Sequence, residues 1–508
     1  MLAKTETVAI VGAEAALVVV EVHSAEGVPG VSIVGLPTKS VREAEHRTKS
    51  ALVSAGHRWP KRRITANLAP GGLRKDGPHF DLALALGVLA TDGQLEAAQL
   101  EGWVALGELG LDGSVRPVRG ILSAAIACRS GGRRGLICAS QNAPEAAIVD
   151  GINVVPVGSL RDCIEVLRGE REPATIPPAP APSLETHLDL REVRGHASAK
   201  RALEVAAAGG HNLLLTGPPG SGKSMLAQRM PGILPEMSLD ESFEVTRVHS
   251  VAGLLGERAS LVTARPFRTP HHHVSLAGLM GGGAGLARPG EISLAHHGVL
   301  FLDELTLYAR NVLESLRAPL EDGVVHIARS GGSLTFPCRF TLIGAMNPCP
   351  CGFRGDATRE CRCSLVQLAS HGARLSGPLI DRFDLQMTMG RVGKTELMGP
   401  PDGETSEEVR KRVEAARFIQ ADRYGSSLET NASAANKLLE DTIALDPGVR
   451  PSLGVAIDAL RLSGRGLDRV LRIARTLADL AGREVVSQEH IDEAIFLRAA
   501  VTDGGLAA

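Results

Sequence analysis

The stretch GPPGSGKS, residues 217–224, decides the fold of the central part of the chain. It fits the phosphate-binding loop pattern G-x-x-x-x-G-K-[ST], with an apolar strand pattern, HNLLLTG, before it and a helical pattern, KSMLAQRMPGIL, after it. Glycines let backbone amides approach phosphates, Lys223 can reach the β and γ phosphates of ATP, and the Ser224 hydroxyl can bind Mg²⁺. The predicted nucleotide-binding residues are Gly217, Pro218, Pro219, Gly220, Ser221, Gly222, Lys223 and Ser224.

Polar side chains follow two further buried strand patterns. VLFLDEL, residues 299–305, carries Asp303 and Glu304, which we expect to hold the Mg²⁺ shell and to polarise the attacking water, respectively. FTLIGAMNP, residues 340–348, places Asn347 after an apolar strand, where a parallel sheet binds its ligand. We expect Asn347 to orient the water or to contact the γ phosphate; the alternative is an asparagine that caps the following turn.

Arginines in two later segments are candidates for phosphate contacts. Arg382 lies in LIDRFDL, residues 379–385, where it is either a surface ion pair or an arginine presented to the ATP of a neighbouring subunit. In the helical pattern SGRGLDRVLRIA, Arg465 is a candidate for a second γ-phosphate contact. Arg469 and Arg472 compete for that role, because one helical turn separates several of these arginines.

The ordered set GPPGSGKS, VLFLDEL, GAMNP, LIDRFDL and the arginine-bearing final helices resembles the motifs of an AAA+ ATPase. The glycine-rich segment 271–298 and the hairpin-like segment 321–340 resemble insertions of the magnesium-chelatase and replicative-helicase branch. Within that branch the chain is similar, over nearly its whole length, to the ComM/YifB family of magnesium-chelatase-like ATPases. The resemblance implies that Asn347 is sensor 1, Arg382 the arginine finger and Arg465 sensor 2.

The same resemblance implies a function and partners. It implies a homo-hexameric helicase that hydrolyses ATP with Mg²⁺ and acts on single-stranded or branched DNA. Its role would be branch migration during natural transformation or recombination, with recombination proteins as further partners. A magnesium-chelatase-type ATPase subunit and a protein-remodelling AAA+ ATPase are the alternatives.

The predicted fold class is α/β, with a composition break that separates its parts. Strand and helix patterns are mixed before the dense prolines of REPATIPPAPAPSLETH, which indicate an extended linker. Beyond it, alternating strands and helices indicate a parallel sheet, and strand signals vanish from about residue 404. The predicted domains are a Lon-protease-like α+β domain (1–170), a linker (171–187), an AAA+ P-loop αβα core (188–395) with a cysteine loop at 349–363, and a C-terminal helical lid (396–508).

The N-terminal stretch RKDGPHFDLALALG, residues 74–87, resembles the frame around the nucleophile of Lon proteases. Lys75, Asp76, Gly77 and Pro78 match that frame, but His79 replaces the serine. The region after SVRPVRGIL, where the resemblance places the catalytic lysine, carries Leu122 and no lysine. Because a serine–lysine mechanism needs a hydroxyl and an amine, we predict no peptidase activity.

Four of the eight cysteines are clustered in CPCGFRGDATRECRC. Two close pairs of thiolates suit a tetrahedral, structural Zn²⁺, although the Cys-x-Cys spacing is tighter than the common Cys-x2-Cys. Four reduced, unligated thiols are the alternative, and a disulfide is disfavoured in the cytoplasm. The predicted zinc ligands are Cys349, Cys351, Cys361 and Cys363.

A run of three histidines at 271–273 also raises the question of a metal site. Consecutive side chains diverge on a strand or a helix, so one metal ion cannot easily bind all three. We therefore expect these histidines to have a structural or pore-loop role.

Composition limits the classes of function. The 508-residue chain has 44% hydrophobic and 22% charged residues, no apolar run near the ~18 residues of a membrane helix and no signal-peptide pattern, so we expect a cytoplasmic protein without membrane contact. The net charge of −2 means that DNA must be bound by local patches. Candidates, each equally compatible with solvated surface, are Lys61, Arg62, Arg63, Arg265, Arg268 and Arg288.

Overall fold

The computed structural model contains two mixed α/β parts followed by a helical region. It describes residues 1–177, 188–255, 260–283, 287–329, 332–356, 358–399, 403–449, 451, 453–454 and 463–499. Residues 171–177 of the predicted linker belong to no helix or strand, and residues 178–187 lie outside the described residues. Within the described part of the chain, no helix has both the length and the apolar character needed to cross a membrane.

The N-terminal part is built on a seven-stranded mixed sheet. The strands in chain order are β1 (Leu2–Val11), β2 (Glu14–Ala25), β3 (Gly30–Val34), β4 (Arg63–Ala69), β5 (Trp103–Leu106), β6 (Glu108–Leu109), β7 (Val115–Arg116), β8 (Gly135–Ala139) and β9 (Asn153–Val157). The sheet has the order β3-β4-β2-β1-β5-β8-β9, in which β1 and β2 are antiparallel and β5, β8 and β9 are parallel. Strands β6 and β7 form an antiparallel hairpin whose connection contains Asp112-Gly113, a dipeptide favoured in hairpin turns.

Helix Asp81–Thr91 is the centre of this part, and all eleven of its residues are buried. It packs against β1, β2 and β5. The segment VREAEHRTKSALVSAG is helical with an interruption at Glu43. The helices are Lys39–Arg42, Ala44–Ser54, Asp81–Thr91, Ile121–Ser130, Ala143–Ala146 and Leu160–Leu167, with 3₁₀ turns at Pro78–Phe80 and Ala97–Leu100.

The second part contains the parallel sheet that the phosphate-binding loop predicted. Its strands are β10 (Leu213–Thr216), β11 (Phe267–Arg268), β12 (Gly281–Gly282), β13 (Arg288–Pro289), β14 (Val299–Leu302), β15 (Val324–Arg329), β16 (Gly332–Pro337), β17 (Thr341–Met346) and β18 (Leu385–Thr388). Five of them form a wholly parallel sheet in the order β11-β14-β17-β10-β18. Strands β15 and β16 form the antiparallel hairpin expected for the segment 321–340.

Helices cover this parallel sheet. Helix Ala197–Gly209 ends at Gly210, whose φ of +73° suits glycine, as its sequence predicted. The helix predicted for KSMLAQRMPGIL is divided in two, because Pro231 cannot donate a backbone hydrogen bond to the preceding turn. The helices are Ala197–Gly209, Lys223–Ala227, Met230–Ile233, Leu239–Ala252, Leu276–Met280, Glu291–Leu294, Arg310–Ser315, Arg317–Asp322, Leu365–Gly372 and Gly377–Ile380, with 3₁₀ turns at Leu190–Glu192 and Leu305–Leu307.

The C-terminal region is helical, as predicted. Its longest helix begins with a capping box between Thr405 and Glu408 and ends at Gly425. The expectation that strands vanish is wrong in one detail, because β19 (Ala444–Leu445) and β20 (Val485–Val486) form a short parallel pair. Two residues are too few to give an alternating pattern. The helices are Lys394–Met398, Ser406–Tyr424, Asn436–Thr442, Gly464–Leu480 and Gln488–Ala499.

The N-terminal part and the parallel-sheet part share one apolar core. Helix Ile121–Ser130 packs against helix Leu239–Ala252, and the buried cluster joins Leu122 to Val248. Within this interface the buried carboxylate of Glu145 accepts hydrogen bonds from the Leu122 amide and the Ser250 hydroxyl. The two parts therefore stabilise each other.

Candidate nucleotide-binding site

Three strand ends bring the predicted site residues to one edge of the parallel sheet. Strand β10 leads into the phosphate-binding loop, β14 leads into Asp303, and β17 leads into Asn347. Because these neighbouring strands are parallel, their carboxyl ends meet at the same edge. The structure thus brings Lys223, Ser224, Asp303 and Asn347 together.

The phosphate-binding loop is formed around Lys223. Its Nζ donates hydrogen bonds to the carbonyls of Gly217 at 2.7 Å and Pro218 at 3.0 Å, and it lies 3.4 Å from Asn347 Oδ1. Gly220 and Gly222 have φ angles of +79° and +86°, which residues with a Cβ rarely adopt. Burial lowers the pKa of Lys223, and the nearby Asp303 carboxylate opposes that shift. This is a cationic pocket lined by backbone polar groups, which suits phosphate oxygens.

The residues predicted to bind Mg²⁺ are in direct contact. Ser224 Oγ donates to Asp303 Oδ2 at 2.7 Å, so a hydroxyl and a carboxylate oxygen converge on one point. These are hard oxygen ligands of the kind that Mg²⁺ prefers beside nucleotide phosphates, and the pair therefore fits this ion. The exposed Glu304 follows, with its backbone in the left-handed region at φ +50° and its amide donating to Asp303 Oδ1 at 2.8 Å. Such strain in a residue with a Cβ is typical of functional sites.

The triple histidine lies beside this site. His272 Nδ1 is 3.6 Å from Glu304 Oε2, a contact that the sequence analysis missed. The expectation that the three side chains diverge is wrong, since the ring centroids are only 4.1 to 5.2 Å apart. The segment is a turn rather than a strand or a helix, so the usual divergence does not apply. The sequence could not predict this contact because it does not give the order of the strands. Strand β11, which precedes His272, pairs with β14, which leads into Glu304.

Arg382 lies at the opposite edge of the sheet from the phosphate-binding loop. It precedes β18, and its carbonyl accepts a hydrogen bond at 3.0 Å from Asn212, which precedes the parallel strand β10. The length of β10 separates this edge from the loop by about 16 Å at ~3.3 Å per residue. Arg382 is 8% exposed and pairs with Glu321, while its Nε has no hydrogen-bond partner among the described residues.

The three arginines of helix Gly464–Leu480 have different surroundings. Arg465 is exposed and lines, together with Arg382, a cleft of about 1040 Å³. Arg469 lies 3.6 Å from Asp384. Arg472 is buried and donates to the Asn431 carbonyl and to Asn436 Oδ1, both at 2.6 Å. All three line this cleft, Arg465 is the most exposed of them, and it shares the edge of Arg382 rather than that of Lys223.

We expect substitutions of Arg465 and Arg472 to have different effects. Arg465→Ala should lower ATP hydrolysis by about 10²-fold or more with an unchanged melting temperature, because it removes the predicted γ-phosphate contact from an exposed position. Arg472→Ala should instead destabilise the fold by roughly 2–3 kcal/mol, because buried acceptors lose their donor. Thermal melting and phosphate release of both variants provide the measurement. If both variants melted at the same temperature and only Arg472→Ala lost activity, Arg472 rather than Arg465 would be the γ-phosphate contact.

The four clustered cysteines converge in the structure. Sulfur–sulfur distances are 3.4 Å for Cys349–Cys351 and 3.7 Å for both Cys349–Cys361 and Cys351–Cys361, and all four sulfurs lie within 4.8 Å of one another. Tetrahedral Zn²⁺ with bonds of ~2.3 Å would separate its sulfurs by about 3.8 Å. Backbone amides of Phe353 and Arg362 lower the pKa of Cys351 to about 6. The arrangement therefore fits a zinc ion.

A second cluster of potential ligands, Glu244, His296 and His297, is a hydrogen-bond network. Glu244 Oε2 lies 2.9 Å from His296 Nε2 and 2.8 Å from His297 Nε2. His296 Nδ1 accepts the Arg339 amide at 3.0 Å, so a neutral His296 carries its proton on Nε2 and donates to Glu244. A protonated nitrogen cannot bind a metal, and we interpret the network as support for the neighbouring strand β14.

The candidate DNA-binding arginines separate into two groups. Arg265 is held by Glu241 and by the carbonyls of Pro235 and His297, and Arg268 forms a two-pronged pair with Glu291. These two side chains are held by ion pairs within the chain, so the exposed cations are the stronger candidates for DNA contacts. The exposed candidates are Lys61, Arg62, Arg63 and Arg288.

The frame around His79 is buried. His79 is 3% exposed and donates from Nε2 to the Val8 carbonyl at 3.0 Å, and the fully buried Lys75 donates to the Pro70 carbonyl. Burial lowers the pKa of His79 to about 4. These side chains connect segments of the N-terminal part, and the lack of peptidase activity stays a prediction.

The buried imidazole should make the fold sensitive to acid. Because the pKa of His79 is lower in the folded chain than in the unfolded chain, its neutral form favours folding at pH 7, and this contribution falls as the pH drops from about 6.5 to about 4. The loss amounts to roughly 3 kcal/mol. Urea unfolding at several pH values should show a shallower acid dependence in His79→Gln but not in His23→Gln, an exposed control. Identical slopes in both variants would contradict this role.

Comparisons with known proteins agree across the chain. A family model described as subunit ChlI of Mg-chelatase matches residues 20–142. A second, described as magnesium chelatase subunit ChlI, matches residues 189–397, and a third, described as the C-terminal part of that subunit, matches residues 403–498. The competence protein ComM of Haemophilus influenzae is 42% identical over 97% of this chain and 96% of its own length. YifB of Escherichia coli is 39% identical over 97% and 96%. The magnesium-chelatase 38 kDa subunit of Rhodobacter capsulatus is 26% identical over 55% of this chain and 77% of its own length.

Proposed function

The chain belongs to the ComM/YifB family of magnesium-chelatase-like AAA+ ATPases, and from this premise we propose that it is a homo-hexameric motor that uses ATP to move along single-stranded or branched DNA. Its task is branch migration during natural transformation or recombination, in contact with recombination proteins. The main support is the similarity of 97% of the chain to a competence protein, together with a complete set of nucleotide-site residues.

The chain's own residues have separate roles in hydrolysis. Lys223 and the loop amides hold the phosphates, and Ser224 and Asp303 hold Mg²⁺, which supplies positive charge beside them. Glu304 takes a proton from the attacking water, and Asn347, 3.4 Å from Lys223, positions that water. Each of these groups comes from one subunit and from one edge of its sheet.

The position of the arginines supports the proposed ring. Arg382 cannot reach the phosphate-binding loop of its own subunit across the sheet, and Arg465 lines the same cleft. Their charges can stabilise the transition state only if a neighbouring subunit places its own loop against this cleft. The site is therefore incomplete in one chain, and a closed ring of identical subunits completes every site.

DNA binding is supported by local charge rather than by net charge. Lys61, Arg62 and Arg63 form an exposed basic run in the N-terminal part, and Arg288 is exposed at the edge of the glycine-rich insertion. With a net charge of −2, the whole molecule does not attract DNA, and such patches must supply the phosphate contacts. Binding should accordingly weaken with increasing salt concentration.

The test is ATP hydrolysis by the full chain with no DNA and with single-stranded, double-stranded and forked DNA. We expect single-stranded or forked DNA to stimulate hydrolysis and the protein to move a branch point only in the presence of ATP. Lys223→Ala should abolish both activities. Hydrolysis that ignores all DNA would overturn the proposal.

The similarity to a magnesium-chelatase subunit favours one second candidate, an ATPase that powers metal insertion into a porphyrin. That relative matches about half of this chain, so the rest of the chain would have no role in the reaction. Hydrolysis that is insensitive to DNA but stimulated by a porphyrin-binding partner would favour the chelatase function.

The four cysteines are proposed to hold a structural Zn²⁺. Their mutual distances match a tetrahedral sulfur site, and structural zinc adds binding free energy to local folding. We expect elemental analysis to find about one zinc per purified chain, and far less in Cys361→Ser. A zinc content well under one per chain in the unaltered protein would remove the assignment.

A further inference from the structure

The four-cysteine loop, residues 349–363, lies directly on the phosphate-binding loop. Gly352 has a φ of +83°, and a Cβ added to it would come within 2.6 Å of Pro219 Cδ. Pro219 is the third residue of the phosphate-binding loop. The backbone of the four-cysteine loop therefore touches the loop that surrounds the nucleotide phosphates.

Both ends of the four-cysteine loop act on Asn347. At its start, Cys349 follows Asn347 by two residues. At its end, helix Leu365–Gly372 begins just after Cys363, and His371 of that helix forms a 3.0 Å hydrogen bond with the Asn347 carbonyl. A change in the path of the loop must therefore move or release the residue that faces Lys223.

A third contact ties the loop to the strand beside the site. Arg391 pairs with Asp356 at 2.8 Å and lies 5.7 Å from the ring of Phe353. Arg391 follows Met389, and a Cβ on Gly217 would collide with the Met389 carbonyl. The phosphate-binding loop thus contacts the four-cysteine loop at Pro219 and the segment that anchors this loop at Gly217.

Apolar packing fixes little of the four-cysteine loop. Its described residues form no helix or strand, and of their side chains Cys349 alone is an apolar group fully buried. A loop of this length has too small an apolar core to order itself, so its internal links are the sulfur cluster and the hydrogen bonds that Thr358 and Arg359 donate to Asp356.

We propose that the metal in the four-cysteine site braces the ATP pocket: it fixes loop 349–363, the loop fixes Pro219 and Asn347, and nucleotide affinity therefore depends on metal occupancy. The inference rests on the zinc assignment made above. It assigns to the metal a task at the nucleotide site rather than in a separate surface module. The four-cysteine loop begins 125 residues after the phosphate-binding loop ends, yet the two loops are in contact in space.

The experiment measures zinc content and the affinity for a fluorescent, non-hydrolysable ATP analogue in the full chain. The protein is compared as purified, after removal of zinc by a chelator, and after zinc is restored. We expect demetallation to weaken nucleotide binding by about tenfold or more, on the scale seen when the supports of a bound site are removed. Restored zinc should return the affinity.

Two variants separate metal loss from loop contact. Cys363→Ser should lose zinc and nucleotide affinity together, whereas Arg362→Ala, an exposed neighbour that binds no metal, should keep both. Gly352→Ala should keep its zinc but lose affinity, because its Cβ would press on Pro219. Circular dichroism would show whether each variant is folded.

The outcomes distinguish this inference from those on which it depends. A demetallated, folded protein that binds nucleotide as tightly as before would overturn the brace and leave the zinc site intact. A chain that never contains zinc would overturn both. A zinc-loaded chain that binds no nucleotide would contradict the motor function instead, and Gly352→Ala with unchanged affinity would show that the contact carries no coupling.

Discussion

Lys223→Ala is expected to abolish ATP hydrolysis and every activity that depends on it. The Lys223 ammonium is buried, hydrogen-bonded to two loop carbonyls and 3.4 Å from Asn347, so no other described cation can replace it at the phosphates. Removing one positioned donor to a developing phosphate charge costs roughly 10²–10³-fold in rate, and here the loss of nucleotide affinity adds to it. Phosphate release under saturating ATP and DNA gives the measurement.

A matched lysine provides the control for this loss. Lys411 is exposed on helix Ser406–Tyr424, where it pairs with Glu407, so Lys411→Ala removes the same charge far from the nucleotide. We expect that variant to hydrolyse ATP at the unaltered rate, since exposed pairs contribute little. If Lys223→Ala retained more than about a tenth of the activity, the assignment of the nucleotide site would fail.

Arg382→Ala is expected to be as inactive as Lys223→Ala when each is pure, and the two should rescue each other when mixed. In the proposed ring, each junction between subunits takes a phosphate-binding loop from one chain and an arginine from the next. In a mixed ring, an Arg382→Ala chain contributes its intact Lys223 and a Lys223→Ala chain contributes its intact Arg382. Random assembly then repairs about a quarter of the junctions.

The measurement is ATP hydrolysis by the two variants after joint reassembly, compared with each variant alone. Recovery that rises and falls with the mixing ratio, with a maximum near equal amounts, is the expected result. A mixture of Arg382→Ala with Arg465→Ala is the control. Both arginines belong to the chain that faces the neighbour's phosphate-binding loop, so every junction in this mixture lacks one of them and no recovery is expected. No recovery in the first mixture, or hydrolysis by a pure monomer at the full rate, would mean that Arg382 does not serve a neighbour.

The sequence was informative where the chemistry is local. Lys223 and Ser224 are one residue apart in a motif that fits few other structures, and Asp303 and Asn347 each follow an apolar run that could only be a strand. Parallel pairing then brings these ends together without further information. The convergence of the four cysteines was predictable for the same reason, because they lie within fifteen residues.

The parts that could not be predicted depend on contacts between distant segments. The sequence around Arg472 does not show that its guanidinium donates hydrogen bonds to Asn431 and Asn436. Arg465 could therefore not be preferred over Arg472 as the γ-phosphate contact from the sequence. The contact of Gly352 with Pro219 joins positions far apart in the chain. Arg265 and Arg268 could not be recognised as structural before their carboxylate partners were located.

The shared apolar core described above has a consequence for the N-terminal part. Leu122 and its neighbours cover a surface of the parallel-sheet part that includes Val248. Deleting the N-terminal part would also remove Glu145 and leave the Ser250 hydroxyl without its hydrogen-bond acceptor. Deleting the N-terminal part would therefore expose apolar surface on the parallel-sheet part, and we expect the truncated chain to aggregate. The N-terminal part, for which we predict no peptidase activity, thus has a structural role, because it covers apolar surface of the parallel-sheet part.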